Sequence, residues 1–513
     1  MLEQLKRLIK HSGIYFVGLA SQAAVNFLLV PVYSRYLQAE GFGQLELVSN
    51  FLQIAIFLFT IGISAAIVKV YVQDAKSDQE RRTIVMTAFW LTLPLTFIGS
   101  LLVFGASSQI AGFLLGAKDF AGLFAVASVT LFFSVFNSLA FSIMRSQEIS
   151  GRYTLINLVK FSLFLLFNLI LLISWRAGVK GVLWSDLIVQ IIVAILFIGI
   201  FVRPGALSKA SRVTDQGKSK TLNKALHTLK ITKFGLTDFS IFYAKKLLEF
   251  GVPMIPSTIA MFIVGLSDRY FLRFMTDLSQ VGIYSLGYKI GFIIFVLIVS
   301  PFQLAWPTFS YDIAKKRADH KEIFARVLTY FILASCLASL VLSLFAKEFI
   351  YIMSTAEFAE AAKVVPWIAG SYVFLGIHFA VVQGLHIKEK TKFYPLIIFA
   401  PAVLNLILNY FMIGWWQMTG AAIATLVSFL VMAVLTFWLS QKYYPIRYEY
   451  GRLIKVFLIS ILAYAFVIGG VFWKFVGLVL FLLFVRFWIL DYKEASKLKD
   501  FSRNLIRVLA RSA

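Results

Sequence analysis

Long apolar segments follow one another along the 513 residues of the chain, and they constrain its fold more than any other feature. A helix needs about 20 predominantly apolar residues to cross a bilayer. Fourteen segments meet this length, near 12–33, 44–70, 83–106, 119–143, 153–175, 179–202, 250–274, 281–306, 324–346, 364–386, 393–414, 420–439, 453–470 and 472–490. With 60% hydrophobic and 14% charged residues, the sequence predicts an all-α polytopic membrane protein.

The formal net charge of +24 could suggest a nucleic-acid partner, but the basic residues punctuate the apolar segments instead of forming one soluble face. Lys and Arg accumulate in cytoplasmic loops of membrane proteins. With the N-terminus inside, 36 of the 49 Lys and Arg lie in cytoplasmic segments and nine lie outside. We therefore expect a bacterial cytoplasmic-membrane protein with both termini in the cytoplasm, and no nucleic acid.

The longest polar segment, at 203–246, separates six predicted helices from eight. The predicted organisation is a six-helix bundle at 1–202, a basic cytoplasmic linker at 203–246, a second six-helix bundle at 247–440, and two further helices with a basic tail at 441–513. The first apolar stretch has no small-residue cleavage site, which favours a retained helix over a cleaved signal peptide. The single cysteine, Cys336, lies within an apolar run and excludes an intrachain disulfide.

A weak internal repeat crosses the linker. "YSRYLQAEGFGQLEL" follows the first apolar segment and "LSDRYFLRFMTDLSQVGIYSL" follows the seventh. Each contains Arg-Tyr at the outer end of a helix, followed by a glycine, Gly43 or Gly282, that opens the next helix. Corresponding segments six helices apart predict two related bundles with a substrate path between them.

These motifs resemble the polysaccharide-transporter family of the MOP flippase superfamily, which includes the Wzx-type O-antigen flippases. "PVYSRYLQAEGFGQLE" at 31–46 is similar to the first hairpin of the family, and "VPMIPSTIAMFIVGLSDRYFLRF" with "VGIYSLGYKI" at 252–290 is similar to its seventh and eighth helices. The resemblance implies a MATE-like, V-shaped transporter of about 14 helices. It also implies transfer of an undecaprenyl-pyrophosphate-linked glycan from the inner to the outer leaflet, with membrane lipids and polysaccharide assembly proteins as partners.

Charged residues inside the predicted helices are candidates for the site, because an ionised side chain at bilayer depth is costly. Arg269 and Arg273 share a helix face, whereas Asp268 points about 100° away from Arg269, so we expect these neighbours not to neutralise each other. Lys289 on the next helix has a similar estimated depth, about two turns from the outer helix ends. We predict an Asp268–Lys289 contact.

Five basic residues are predicted to line a cationic cavity that attracts a pyrophosphate: Arg35, Lys69, Lys160, Arg269 and Lys289. The planar fork of Arg suits a diphosphate because it can donate two hydrogen bonds to one group. The alternative is that basic residues near helix ends extend to the lipid headgroups, and this alternative is favoured for Lys69 and Arg273.

Glu46, Asp186 and Asp268 are the acids within the predicted helices, and each is either a proton or ion relay or a structural counter-charge. We expect no bound cofactor and no metal, with a proton or sodium gradient as the candidate energy source. Pro253 and Pro256 are expected to break the seventh helix near its inner end. His378 and His386 lack metal-ligand spacing.

Two other functions compete with a flippase. A MATE-like drug or cation antiporter would have a similar length and repeat, but an acidic and aromatic cavity suits cationic drugs better than the basic residues found here. A membrane-embedded sugar polymerase or ligase should carry a large outer loop, and no predicted outer loop exceeds about twenty residues.

Overall fold

The computed structural model describes residues 2–147, 149–202, 238–490 and 494, and these residues contain helices and no strand. Contacts between helices divide the chain into two units, Met1–Ile283 and Tyr284–Ala513. The predicted all-α membrane fold is confirmed. Twelve helical segments in the described residues are long and apolar enough to cross a membrane.

The first unit is built from ten α-helices, the last of which continues into the second unit. They are α1 Leu2–Thr60, α2 Ile63–Gln73, α3 Asp78–Gly105, α4 Ser107–Leu115, α5 Ala121–Ser146, α6 Ser150–Leu169, α7 Gly178–Val202, α8 Ile241–Gly251, α9 Met254–Met275 and α10 Leu278–Gly291. Single turns of 3-10 helix at Lys118–Phe120 and of π-helix at Ile170–Ser174 complete it. Its core joins α2, α3, α5, α7 and α8.

The second unit contains eight further α-helices. They are α11 Ser300–Lys316, α12 His320–Leu344, α13 Ala346–Met353, α14 Val365–Val381, α15 Gln383–Ile387, α16 Tyr394–Tyr443, α17 Tyr450–Tyr464 and α18 Val471–Phe484. Short 3-10 or π-helical turns lie at Phe295–Val299, Ala356–Lys363, Thr391–Phe393, Ala465–Ile468 and Val485–Ile489. Helix α14 packs chiefly on α16, and α17 packs on α12.

Two helices reverse direction within their length. Helix α1 has non-helical backbone angles at Gln38 (φ 58°, ψ −178°), and α16 has them at Gln417 (φ 48°, ψ −128°). Asn405 and Ser428 of α16 are joined by a 3.1 Å hydrogen bond, although 23 residues would span about 35 Å in a straight helix. Each bent helix contains two of the predicted segments. When each bent helix is counted as two spans, the twelve spans become about fourteen.

Helix α8 was not predicted. It begins within the proposed linker 203–246, of which residues 203–237 lie outside the described part of the chain, as does most of the basic tail. Tyr243, Ala244 and Leu247 are buried in the core of the first unit. An ion pair between Lys246 and Asp74, with Nζ and Oδ1 3.0 Å apart, holds α8 beside the α2–α3 loop. The periodicity of α8 is amphipathic, and its charged residues made it resemble a loop.

The predicted break in the seventh helix is confirmed. Helices α8 and α9 are separated at Val252–Pro253. Pro256 lies in the first turn of α9, where its missing N–H removes no helical hydrogen bond. Pro253 therefore coincides with the interruption, and Pro256 is accommodated.

Candidate functional site

Asp268 and Arg269, in the C-terminal half of α9, form a buried ion pair. Their exposed fractions are 0% and 3%. Arg269 Nη1 donates to Asp268 Oδ1 at 2.9 Å and to the Gly265 carbonyl at 3.0 Å. The expectation that these neighbours do not neutralise each other is therefore wrong. The 100° angle between Cβ atoms did not account for the long Arg side chain, which folds back toward the helix N-terminus and meets the carboxylate.

Glu46, on the second half of α1, brings a second carboxylate to the same guanidinium. Its Oε2 lies 4.0 Å from Arg269 Nε, and Glu46 is 8% exposed. A buried charge is tolerated when opposite charges and hydrogen bonds surround it. The structure thus brings together three of the predicted site residues, Glu46, Asp268 and Arg269.

A second charged group lies between α6 and α7. The charges of Lys160 and Asp186 interact, and Gln190 Nε2 donates to Asp186 Oδ1 at 3.2 Å. Asn137 of α5 donates to Gln190 Oε1 at 2.8 Å. Both side chains of the charged pair are half-buried. Lys160 is close enough for its charge to act on Asp186, and the choice between a relay and a structural counter-charge for Asp186 stays a prediction.

Tyr33 of α1 is near enough to an acid of each charged group for both charges to act on it. Its hydroxyl donates to Asn168 Oδ1 at 2.9 Å, and the charges of both Asp186 and Glu46 act on it. Neither Tyr33 nor Asn168 was predicted to belong to the site. Single neutral polar residues in apolar helices carry no spacing pattern, so no sequence signal would have selected them. We name the residues Tyr33, Glu46, Lys160, Asp186, Asp268 and Arg269 the charged network.

The other predicted basic residues are not shown to join the charged network. Arg35, near the bend of α1, is exposed. Lys69 of α2 is also exposed, and its Nζ lies 4.3 Å from the centre of the Phe250 ring. Lys289 lies in the last turn of α10, within the second unit, and is half-buried. The Asp268–Lys289 contact stays a prediction.

Arg273 has a partner that the sequence did not indicate. Its Nε donates to the carbonyl of Leu114, the last residue but one of α4, at 3.2 Å. Gly116 follows in the left-handed region (φ +81°), and a Cβ there would overlap the guanidinium of Arg273. A cation at a helix C-terminus is stabilised by the helix dipole. Arg273 therefore links α9 to α4, in contrast to the expected extension toward lipid headgroups.

The two glycines of the sequence repeat meet in the first unit. A Cβ on Gly43 would overlap the carbonyl of Leu278, and a Cβ on Gly282 would overlap the carbonyl of Ala39. Each glycine therefore packs on the residue four positions before the other, and the contact is reciprocal. Only glycine permits α1 and α10 to approach this closely. Gly43 lies within four residues of Glu46 in the sequence.

The charged network can exchange partners. A guanidinium shared by two carboxylates can release one of them to bind an incoming anion, and a carboxylate so released can take up a proton or a cation. No group of three or more His, Cys, Asp or Glu suited to a metal ion occurs in the described ranges. The arrangement suits binding and transfer of charge.

Comparison with known proteins extends these observations. A family model described as "Polysaccharide biosynthesis protein" matches residues 8–312, and one described as MatE matches 253–411. An uncharacterized membrane protein of Haemophilus influenzae is 27% identical over 293 residues, which are 57% of this chain and 63% of that protein. The "probable low-salt glycan biosynthesis flippase Agl15" of Haloferax volcanii is 23% identical over 211 residues, 41% of this chain and 45% of its own length.

Two solved structures share the fold. The lipid II flippase MurJ, in an inward closed conformation, has a TM-score of 0.69 at 15% identity and covers 97% of this chain and 100% of its own. An inward-facing multidrug resistance MATE transporter of the MOP superfamily has a TM-score of 0.67 at 14% identity and covers 82% and 94%. The resemblance to the MOP superfamily found in the sequence is confirmed.

Proposed function

The chain belongs to the polysaccharide biosynthesis protein family, and from that premise we propose that it is a flippase, a transporter and not an enzyme. The proposed substrate is an undecaprenyl-pyrophosphate-linked oligosaccharide, such as an O-antigen or other surface polysaccharide repeat unit. It would move from the inner to the outer leaflet of the bacterial cytoplasmic membrane by alternating access through a cationic cavity. The observation that carries this proposal is the charged network, kept inside membrane spans of a polysaccharide-biosynthesis protein at a free-energy cost.

Arg269 is the proposed diphosphate ligand. A diphosphate carries more negative charge than one carboxylate, so it would compete with Asp268 and Glu46 for the guanidinium. Arg35, Lys69, Lys160 and Lys289 are proposed to extend the basic lining. The carboxylates of Glu46, Asp186 and Asp268 are the proposed sites of coupling to a proton or sodium gradient, because a released carboxylate can bind either cation.

The test must separate charge from folding. Arg269→Gln alone would leave the Asp268 carboxylate buried beside a neutral partner, so a lost activity could reflect misfolding. The triple variant Glu46→Gln, Asp268→Asn and Arg269→Gln removes all three charges that meet at the guanidinium. In a cell that depends on this protein for surface glycan, we expect near-normal protein level and loss of the glycan. Arg269→Lys, tested alone, should retain partial activity because the charge survives without the planar fork.

Arg273→Gln is the control, since Arg273 lies one turn further along α9 and binds the Leu114 carbonyl. We expect a milder loss of surface glycan than for Arg269. A second neutralised variant, Arg269→Gln with Lys289→Gln, addresses the cationic lining. Full surface glycan in that variant, at normal protein level, would refute the cationic-cavity mechanism.

A MATE-like drug or cation exporter is the second candidate. The MatE match at 253–411 supports it, and so do the three acids of the charged network, which suit a cationic substrate better than the sequence suggested. Deleting the gene distinguishes the two functions. Loss of surface glycan with unchanged drug sensitivity supports the flippase, whereas increased drug sensitivity with normal surface glycan supports the exporter.

Orientation in the membrane is a separate prediction. The asymmetry of Lys and Arg predicts that both termini and the 203–246 segment lie in the cytoplasm. Reporter fusions after Lys118, Lys230, Lys347 and Ala513 should report outside, inside, outside and inside. An outside signal after Lys230 would contradict the predicted order of fourteen spans.

A further inference from the structure

Three lysines of the second unit surround a pair of stacked aromatic rings. Phe393 and Tyr443, at opposite ends of the bent helix α16, have ring centres 5.3 Å apart and an interplanar angle of 27°. We name these rings, the three lysines and a neighbouring tryptophan the lysine–aromatic platform; its members are Lys390, Lys392, Phe393, Trp438, Lys442 and Tyr443. The charged network contains none of them.

The ammonium groups approach the rings from two chain segments. Lys390 Nζ lies 5.7 Å from the centre of Tyr443, and Lys442 Nζ lies 5.8 Å from it. Lys392 Nζ lies 5.3 Å from the centre of Phe393. Within about 6 Å a ring face attracts a cation and restrains the side chain. Because the ring accepts no conventional hydrogen bond, the N–H groups of each lysine remain able to donate to an anion.

None of the three lysines forms an ion pair within the part of the chain that the structure describes. The acids of the neighbouring α11–α12 connection are engaged elsewhere, since Asp312 pairs with Lys316 and Asp319 pairs with Arg317. Three like charges around one pair of stacked rings repel one another, and a bound anion would offset that repulsion. The platform therefore has the charge of an anion site.

The platform lies at both ends of a helix that contains membrane-crossing segments. Thr391–Tyr443 is one of the candidate spans, so Lys392 and Lys442 mark the ends of the apolar stretch. Trp438 is 59% exposed, and its ring centre is 5.9 Å from Lys442 Nζ. Exposed Trp and Tyr with nearby Lys characterise the depth of the lipid headgroups. Lys390, Lys392 and Lys442 also belong to the loops predicted to be cytoplasmic, where the leaflet is anionic.

We propose that the lysine–aromatic platform binds the headgroup phosphate of an anionic bilayer phospholipid in the inner leaflet. The lysines donate to the phosphate oxygens, and Trp438 and Tyr443 contact the glycerol and upper acyl region. The platform shares no residue with the charged network, and the proposal does not depend on the flippase function. It would anchor the α16 hairpin to the cytoplasmic leaflet.

Native mass spectrometry of the full-length protein in detergent tests this proposal with two probes, phosphatidylglycerol and phosphatidylethanolamine of the same acyl chains. We expect preferential binding of phosphatidylglycerol. Lys390→Gln with Lys442→Gln should lower its affinity about 30-fold, since each lysine near a headgroup contributes about fivefold. The control, Lys315→Gln with Lys321→Gln, removes the same net charge from α11 and α12 and should change the affinity less than threefold.

Three results would overturn the proposal. The first is equal affinity of the two lipids for the unmodified protein, and the second is an equal loss of phosphatidylglycerol binding in the platform and control variants. The third is displacement of phosphatidylglycerol by millimolar inorganic pyrophosphate, which would assign the platform to the diphosphate of a substrate instead. Melting temperatures of both variants show whether a lost affinity reflects unfolding.

Discussion

The two units bury different kinds of polar side chain within their membrane spans. In the first unit, Arg269 is held by Asp268 and Glu46, and Lys160 interacts with Asp186. In the described residues of the second unit, almost all fully buried polar side chains are neutral, and Lys474 is the exception. Lys474 pairs with Glu348, with Nζ and Oε1 2.5 Å apart.

The neutral groups of the second unit form close pairs. The hydroxyls of Tyr288 and Tyr372 are 2.7 Å apart, and His378 Nδ1 is 2.7 Å from Thr436 Oγ1. Since Thr436 donates its proton to the Met432 carbonyl, His378 Nδ1 is the donor in that pair. A neutral hydrogen bond joins helices without the desolvation cost of an ion pair. The neutral pairs therefore join helices at little cost, whereas each buried charge of the first unit depends on the opposite charge beside it.

The largest effect is expected from breaking the buried ion pair of the first unit. Asp268→Asn leaves the Arg269 guanidinium buried without its nearest negative charge, and this should destabilise the protein by about 3–5 kcal/mol. A strongly lowered melting temperature of the purified protein in detergent would show it. Asp119→Asn, on an exposed turn of the same unit, is the control.

The triple variant Glu46→Gln, Asp268→Asn and Arg269→Gln sharpens this prediction, because it removes all three charges that meet at the guanidinium. It should recover most of the lost stability while surface glycan stays absent. If the single variant Asp268→Asn has the same melting temperature as the unmodified protein, the ion pair does not stabilise the first unit. The comparison between the units then fails.

A smaller effect is expected at the second charged group. Asp186→Ala removes the acceptor for Gln190 Nε2 and a negative charge near Lys160. Asp186 and Lys160 are only half-buried. Losing a hydrogen bond to a charged group costs about 1.5–3 kcal/mol. The same melting experiment measures it, with Asp119→Ala as the control. A destabilisation no greater than that of the control would mean that water already screens the Lys160–Asp186 pair.

The sequence predicted the spans well because length and hydropathy alone determine them. It also selected Glu46, Lys160, Asp186, Asp268 and Arg269, since charge inside an apolar segment is rare enough to stand out. Pairing was harder to predict. Ideal helix geometry separates Asp268 from Arg269, and only the side-chain conformation brings Nη1 of one to the carboxylate of the other.

Other features depend on tertiary contacts that leave no pattern in the sequence. Tyr33 and Asn168 are 135 residues apart and meet through the packing of α1 on α6. The lysine–aromatic platform forms because α16 reverses at Gln417 and returns Tyr443 to Phe393. By contrast, the sequence repeat did select Gly43 and Gly282, which are in direct contact in the structure. Both positions require the absence of a side chain.

The smallest effect is expected from the neutral pair of the second unit. Tyr288→Phe removes one partner of the 2.7 Å hydroxyl contact and keeps the aromatic ring, which packs against Tyr372 with ring centres 6.2 Å apart. A net loss of about 0.5–1.5 kcal/mol follows, as for a typical neutral hydrogen bond. Surface glycan per molecule of protein should be unchanged, because no charge is altered. If Tyr288→Phe abolishes surface glycan at normal protein level and melting temperature, the neutral pair takes part in transport. Function would then not be confined to the charges of the first unit.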